Sequence, residues 1–255
     1  MTTKRKLRIF YLDYDAINFE SRSRDPIKNR PSWFSYELCL INMLSTINYQ
    51  NSSLEIHFTW WYDKKDHLEL TSNNKIISLV NQVKNNGHFF EVISGDFQSG
   101  ANSAKHLLKY LTELDDEFNS DIIYMCENDY LHVPNWISKI ENLYKSNINF
   151  DYVSLYDHMD NYTLSIHQDF QTRLYCTGNN IWRIGFSTCF SKISTLEVIK
   201  KDCNILSNYD DFICFFYLKL FNRKLLISIP GISTHAMHGL ESPSIDWNII
   251  AKDYF

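Results

Sequence analysis

Two hydrophobic patterns alternate through the first 150 residues. Short, nearly continuous apolar runs are typical of buried strands, and apolar residues that recur every three or four positions are typical of amphipathic helices. The strand-like runs are LRIFYL (7–12), LEIHFTWW (54–61), FFEVI (89–93) and DIIYMC (121–126). This alternation predicts βα units on a largely parallel central sheet flanked by helices, in the α/β class.

Polar residues mark where the intervening helices begin and end. Ser35 is placed to cap the first helix, because a serine hydroxyl can accept a hydrogen bond from an orphan N–H of the first turn. Gly87 follows the second helix, where a glycine commonly ends a helix in a left-handed conformation. We therefore expect helices between each successive pair of strands.

The second half of the chain has shorter runs and predicts a smaller, mixed lobe. Strand-like runs occupy 152–156, 162–166, 173–176, 181–184 and 225–229. Gly178-Asn179 indicates a hairpin. Ser194-x-x-Glu197 has the form of a capping box that opens a helix.

A further helix carries its apolar residues on one face, at Tyr209, Ile213, Phe216 and Leu220. Neither an internal repeat nor a low-complexity linker separates the two halves. We therefore expect one continuous domain over 1–255, in two lobes.

Glycine is scarce and excludes two common nucleotide-binding motifs. The 255 residues are 44% apolar, enough to bury a core, but include only 7 glycines. No Gly-x-Gly and no Gly-Lys-Ser/Thr occurs, so the dinucleotide fingerprint and the Walker loop are both absent. A phosphate bound by this chain must be held by something other than a glycine-rich loop.

Charge and cysteine usage narrow the class of protein. The net charge is -5, with Lys4-Arg5-Lys6 the only tight basic run, which argues against broad binding to nucleic acid. Acidic residues interrupt the first 20 positions and no apolar stretch approaches the length of a membrane span, so we expect neither a signal peptide nor a transmembrane segment. Six cysteines without a C-x-x-C favour reduced thiols and a cytoplasmic location.

The most informative segment is the acidic turn Glu127-Asn128-Asp129, directly after the buried run DIIYMC. Ligands of open α/β sheets bind at the carboxyl ends of the strands. Two carboxylates two residues apart can face the same crevice if the turn stays extended. Such a pair suits a hard divalent cation completed by substrate phosphates.

The ENDY turn followed by LHVPNW resembles the D-x-D motif of GT-A fold glycosyltransferases of the family-2 type, which commonly read EDDY-L-H-x-P here. The resemblance implies a transferase of sugar from a UDP-, GDP- or dTDP-linked donor, dependent on Mn²⁺ or Mg²⁺. It places the metal on Asp129 and sets Glu127 toward the ribose or a metal-bound water. Asn128 replaces the usual middle acid of the motif.

The same resemblance divides the domain into a nucleotide-sugar-binding half, 1–131, and an acceptor-binding half, 132–255, for a carbohydrate or glycoconjugate acceptor. Three flanking positions fit the donor. Asp63 follows the second strand, where such folds place an acid near the base or ribose, and Asp13 follows the first. Small residues at 99–104, among them Gly100 and Asn102, precede a helix whose N-terminus favours anionic groups.

An inverting transferase needs a base for the acceptor hydroxyl, and a carboxylate suffices. The resemblance expects an acidic pair near Asp210-Asp211; Asp211 is the first choice as base and Asp210 the second. His235 and His238 follow the last strand, and by the same resemblance His235 is a candidate metal ligand. An ordinary structural role for either histidine stays open.

Three other readings remain. Asp13-Tyr14-Asp15 after the first strand suggests a HAD-like phosphatase with Asp13 as nucleophile, although Ile17 replaces the usual Thr or Val. A catalytically inactive nucleotide-sugar-binding protein is a second reading, left open by Asn128. A nucleotidyltransferase is a third, although such enzymes usually carry a glycine-rich basic loop near the N-terminus.

Overall fold

The computed structural model describes residues 5–14, 30–63, 72–163, 173–185, 187, 189–208 and 211–254. The strands are β1 Lys6–Asp13, β2 Glu55–Asp63, β3 Phe89–Gly95, β4 Ile122–Glu127, β5 Tyr130–His132, β6 Tyr152–Ser154, β7 Leu174–Thr177, β8 Asn180–Ile184, β9 Lys192–Thr195, β10 Leu225–Ile229 and β11 Ser233–His235. The helices are α1 Tyr36–Asn48, α2 Asn74–Asn85, α3 Gly100–Glu113, α4 Trp136–Lys145, α5 Asp160–Thr163, α6 Leu196–Asn208, α7 Asp211–Leu220 and α8 Trp247–Lys252.

The predicted α/β architecture is confirmed. Within the described residues a central sheet has the order β3-β2-β1-β4-β9-β6-β10-β8-β7, and β11 pairs with β5 in a small second sheet. All strands of the central sheet run in one direction except β8 and β9. The sheet is therefore mostly parallel, as expected.

Both faces of the sheet are covered, which explains the near-continuous apolar strands. Alternate residues of β1 supply the two cores: Ile9 and Tyr11 pack with α1, α2 and α4 on one face. Phe10 and Leu12 pack with α3 and α6 on the other. Burial on both faces is the reason that these runs lack a strict alternation of polar and apolar residues.

The helix ends and the hairpin follow the sequence signals. Ser35 Oγ accepts a hydrogen bond from the backbone N–H of Leu38 at 3.0 Å. Gly87 has φ +81° and follows the last residues of α2. Gly178, with φ +57°, lies in the turn between the antiparallel strands β7 and β8. These three predictions are confirmed.

Two expectations about short elements are wrong. The expected helix is present as α6, which begins at Leu196, but Ser194 does not cap it, because β9 continues through Thr195 and the Ser194 hydroxyl donates to the carbonyl of Asp151. Tyr162 lies in the short helix α5 rather than in a strand, and its hydroxyl donates to Asp157 at 2.6 Å. The rest of that expected strand, 164–166, lies outside the described residues.

The apolar face expected on α7 does not face the core. Ile213, Phe216 and Leu220 are 39%, 37% and 61% exposed, whereas Cys214 and Leu218 are buried. Tyr209 lies outside the described residues. The chain also holds two elements after β10 that the sequence did not indicate, namely β11 and α8.

No helix in the described part of the chain is long and apolar enough to cross a membrane. The six cysteines all fall within the described residues, and no disulfide joins them.

His132, on β5, is fully buried against Trp136 and Tyr124, and its Nε2 lies 2.7 Å from the Tyr124 hydroxyl. Burial lowers the pKa of His132 to about 3, because the charged imidazolium loses its hydration. The folded chain thus favours the neutral ring, and stability is lost as pH falls below about 6.5, the value of an unfolded histidine.

We expect the free energy of unfolding to fall by about 2 kcal/mol between pH 6.5 and pH 5 from His132 alone. Urea denaturation over this range measures it. His57 and His88 also have lowered pKa values, through burial first, so His132→Gln serves to separate the contributions. A variant with the same pH slope as the wild type would contradict the assignment.

Candidate functional site

Three predicted site residues end adjacent strands at one edge of the sheet. β1 runs parallel to β2 with Asp13 opposite Tyr62, and parallel to β4 with Leu12 opposite Glu127. Asp13, Asp63 and Glu127 therefore lie at the carboxyl ends of β1, β2 and β4. This is the edge at which open α/β sheets bind ligands.

Asp129 and His235 come together beside this edge. The antiparallel pairing of β5 with β11 sets His235 opposite Tyr130, and the N–H of Ala236 donates to the carbonyl of Asp129 at 2.8 Å. This register brings His235 Nε2 to 3.0 Å from Asp129 Oδ2. The imidazole also stacks on the Tyr130 ring, at 5.3 Å between centroids. A turn and a strand 106 residues apart thus build one polar centre.

Arg30 is the third member of this centre. Its Nη1 donates to Asp129 Oδ2 at 3.0 Å and to the carbonyl of Ala236 at 2.6 Å. The guanidinium lies over the Phe34 ring at 4.3 Å. The side chain of Asp129 is 5% exposed and that of Arg30 17%, so water screens the pair only partly.

The Asp129–His235 pair fits a divalent cation as far as the described residues go. Two ligands at right angles on an ion with bonds of about 2.1 Å lie about 3 Å apart, and Asp129 Oδ2 and His235 Nε2 are 3.0 Å apart. No cluster of three or more His, Cys, Asp or Glu side chains suited to a metal occurs among the described residues. Water and phosphate would have to complete the coordination, and Arg30 competes for the same carboxylate oxygen.

The hydrogen bonds described for Glu127 and Asp129 go to different partners. The backbone N–H of Glu127 donates to Ser191 Oγ, and the Ser191 hydroxyl donates to Glu127 Oε2, both at 3.1 Å. The two carboxylates differ because Glu127 still belongs to β4, whereas Asp129 lies in the tight turn that leads to β5. The expectation of an extended turn with both carboxylates in one crevice is not met.

Asn128 has a clear structural role. Its Nδ2 donates to Asp13 Oδ1 at 2.7 Å and to the carbonyl of Tyr14 at 2.8 Å. Trp60 Nε1 donates to Asp13 Oδ2 at 2.8 Å. Asp13 and Asn128 are only 1% and 3% exposed. An amide at position 128 therefore ties the acidic turn to the end of β1, which a carboxylate could not do.

The same contacts weaken the phosphatase reading. A nucleophilic carboxylate must reach a phosphorus atom, but Asp13 is buried and each of its oxygens accepts a hydrogen bond. Asp15 lies outside the described residues. Direct contact of Asp13 with any ligand stays a prediction.

Asp63 organises the start of α3. Its Oδ2 accepts hydrogen bonds from the backbone N–H groups of Phe97 and Gln98, each at 2.9 Å. Ser99 caps the helix by accepting from the N–H of Asn102 at 3.1 Å. Asp63 is 5% exposed and shapes this loop, and its contact with a donor stays a prediction.

Gly100 is small for a reason that the sequence did not show. A Cβ there would lie 2.3 Å from the Tyr14 ring, so the close approach is made by this tyrosine. Asn102 is exposed in the first turn of α3. Contact of either residue with a nucleotide sugar remains a prediction.

The remaining predicted residues are placed as follows. Asp211 is the first residue of α7, and its side chain is not described; Asp210 lies outside the described residues. His238 is exposed and lines a surface cleft with Arg30, rather than contacting Asp129. Of the two histidines, His235 is therefore the one at the polar centre.

Sequence reasoning missed Arg30, Ser191 and Trp60. Arg30 precedes the cap of α1 by five residues and Ser191 precedes β9, and neither stands in a motif. Trp60 sits inside an apolar strand, where it could only be read as core. Their roles depend on contacts between distant segments, which a single sequence does not reveal.

Neither a family model nor a curated protein matches the sequence. The fold is similar to the inositol-1-phosphate CTP transferase from T. maritima, at 10% identity and a TM-score of 0.44, over 98% of this chain and 95% of that one. It is also similar to CMP:2-keto-3-deoxy-manno-octonic acid synthetase complexed with CTP, at 10% identity and a TM-score of 0.45, over 98% of each chain. A third similar structure is that of the apo WbbM bifunctional glycosyltransferase, at 10% identity and a TM-score of 0.46, over 87% of this chain and 38% of that one. At this identity the likeness is one of fold alone.

Proposed function

We propose that this chain is a metal-dependent glycosyltransferase, which moves a sugar from a nucleotide-diphosphate sugar to a hydroxyl of a glycan or another acceptor. The observation that carries the proposal is the Asp129–His235 pair, held at 3.0 Å beside the carboxyl edge of the sheet. A carboxylate and an imidazole at such an edge suit an ion that also binds substrate phosphates.

The leaving group of this reaction is a nucleoside diphosphate, which gains negative charge in the transition state. Asp129 and His235 would hold Mn²⁺ or Mg²⁺, which would supply a Lewis acid to stabilise this charge. Arg30 lies on the same carboxylate and supplies a fixed positive charge beside it. The sequence has only 7 glycines and neither a Gly-x-Gly nor a Walker motif, so in this proposal charge takes the place of a glycine-rich cradle.

The nucleotide is proposed to lie across the ends of β1, β2 and β4. Asn128 fixes the acidic turn to Asp13, and Asp63 fixes the loop before α3. The N-terminus of α3 then lies near the edge and favours an anionic group. Glu127, held by Ser191, is the candidate for the ribose.

The base is proposed to be Asp211, with Asp210 as the alternative, and the transfer to be inverting. Asparagine variants of both residues separate the two. The base variant should retain donor affinity and lose transfer to the acceptor by about 10²-fold or more.

The test is a binding and turnover panel with the purified full chain. We expect at least one UDP-, GDP- or dTDP-sugar to bind in calorimetry with Mn²⁺ present and to be hydrolysed slowly, with both effects lost on chelation by EDTA. CTP with a sugar acid or a sugar phosphate is the comparison arm.

Two outcomes would overturn the proposal. One is that no nucleotide sugar binds with metal present. The other is that CTP is consumed with release of pyrophosphate, since this product defines nucleotidyl transfer rather than glycosyl transfer.

A further inference from the structure

A surface cleft of about 370 Å³ lies next to the polar centre. Within the described residues, three parts of the chain line it: the segment before α1, the loop after β11, and α8. The described lining residues are Arg30, Pro31, Ser32, His238, Glu241 and Asn248. Of these, only Arg30 also belongs to the polar centre.

Arg30 joins the cleft to the centre. Its described hydrogen bonds to Asp129 and Ala236 both use Nη1. A guanidinium has five N–H donors, so those on Nε and Nη2 remain for a ligand in the cleft. A molecule bound there would lie one side chain away from Asp129.

The cleft offers both donors and acceptors. Among the described residues, the Ser32 hydroxyl and the His238 imidazole make no hydrogen bond, and both side chains are exposed. Asn248 Nδ2 donates to Asp246 Oδ1 at 3.2 Å, which leaves its carbonyl oxygen available. Glu241 Oε2 accepts from the N–H of Gly239 at 2.9 Å, so its other oxygen can accept.

This mixture selects a class of ligand. Sugar hydroxyls both donate and accept, so each lining group can find a partner among them. An anion would be repelled by Glu241 and by Asp129 behind Arg30. An apolar ligand would cover polar groups and leave them without hydrogen bonds, which is costly.

We propose that this cleft binds a sugar unit of the acceptor through Arg30, Ser32, His238, Glu241 and Asn248. The volume lies at the small end of the range for ligand sites, about 300 to 1,000 Å³, and suits a sugar unit rather than a whole nucleotide sugar. The assignment of this sugar to the acceptor rests on the proposed function, whereas the binding of a sugar in the cleft does not.

The experiment is a titration of the ¹⁵N-labelled full chain with the methyl glycosides of glucose, galactose, mannose and N-acetylglucosamine. We expect at least one to shift the amide signals of Ser32, His238–Glu241 and Asn248. Because each variant removes one or two hydrogen bonds, Asn248→Ala and His238→Ala should each weaken its affinity about three- to tenfold.

Arg5→Ala is the matched control. Arg5 also lies over an aromatic ring, that of Tyr144 at 5.4 Å, and lines a different cleft of about 210 Å³. Its removal should leave the affinity for the glycoside unchanged.

Several results would overturn the inference. These are shifts confined to the ends of β1 and β2, wild-type affinity for the glycoside in both cleft variants, no shift with any glycoside, or a stronger response of the same signals to inorganic phosphate. Calorimetry with nucleotide sugars runs in parallel. If the chain binds a glycoside in the cleft but no nucleotide sugar, the cleft inference stands and the transferase proposal fails. If it binds a nucleotide sugar but no glycoside, only the cleft inference fails.

Discussion

Asp129→Asn is expected to lower the rate of sugar transfer, or of donor hydrolysis, by about 10³-fold. The change removes one negative charge and keeps the shape of the side chain. With asparagine at 129, a bound ion would keep a neutral amide oxygen and the His235 nitrogen but lose the negative charge, and Arg30 would lose its carboxylate partner. Single-turnover hydrolysis of the donor measures the loss, and the signal of free Mn²⁺ in electron paramagnetic resonance measures the metal.

Asp116→Asn is the control for this substitution. Asp116 is also paired with a cation, Lys200 at 2.9 Å, but its side chain is 87% exposed and lies outside the proposed site. The Asp116→Asn substitution should change neither the rate of sugar transfer or donor hydrolysis nor the affinity for the metal. An Asp129→Asn protein with wild-type Mn²⁺ affinity would show that the metal, if the reaction uses one, binds elsewhere.

Asn128→Asp is expected to destabilise the fold by about 3 to 5 kcal/mol at pH 7. The amide of Asn128 donates to the Asp13 carboxylate and to the Tyr14 carbonyl. A carboxylate in its place has no proton to donate and faces two acceptors in a buried site. Urea denaturation monitored by tryptophan fluorescence gives the difference.

The pH dependence of this variant distinguishes charge repulsion from altered packing. Two buried carboxylates in contact raise each other's pKa, so the folded variant holds a proton more tightly than the unfolded chain does. Relative to wild type, its stability is therefore greater at low pH and is lost as pH rises through the raised pKa. The deficit relative to wild type should shrink between pH 7 and pH 4.5. Asn102→Asp, at an exposed position, should show no such deficit, and a pH-independent deficit at position 128 would contradict the charge explanation.

The sequence was most informative where the cause is local. The strands β1, β2 and β4 could be predicted because both faces of the sheet are covered there, so each of these strands is a distinct apolar run. Ser35 and Gly87 could be assigned because a cap depends on residues three or four positions away. The acidic turn could be placed at the carboxyl edge because it directly follows β4.

Prediction failed where the cause is distant. Ser194 matches a capping box, yet the pairing of β9 with β4 holds it in a strand. Ile213 and Phe216 share one face of α7, but which face packs inward depends on the neighbouring elements. Glu127 and Asp129 look equivalent as acidic residues of one turn. Their different roles come from contacts with distant residues that no motif marks, since Asp129 contacts Arg30 and His235 of β11.

The register of β5 with β11 also fixes when the centre can exist. Asp129 and His235 are 106 residues apart, so at about 5 to 20 residues per second the ribosome adds His235 some 5 to 20 s after Asp129. The strands β1 to β4 can associate during that interval, before His235 has been made. A prematurely terminated chain that ends before β11 would therefore have the strands of the first lobe without the Asp129–His235 pair.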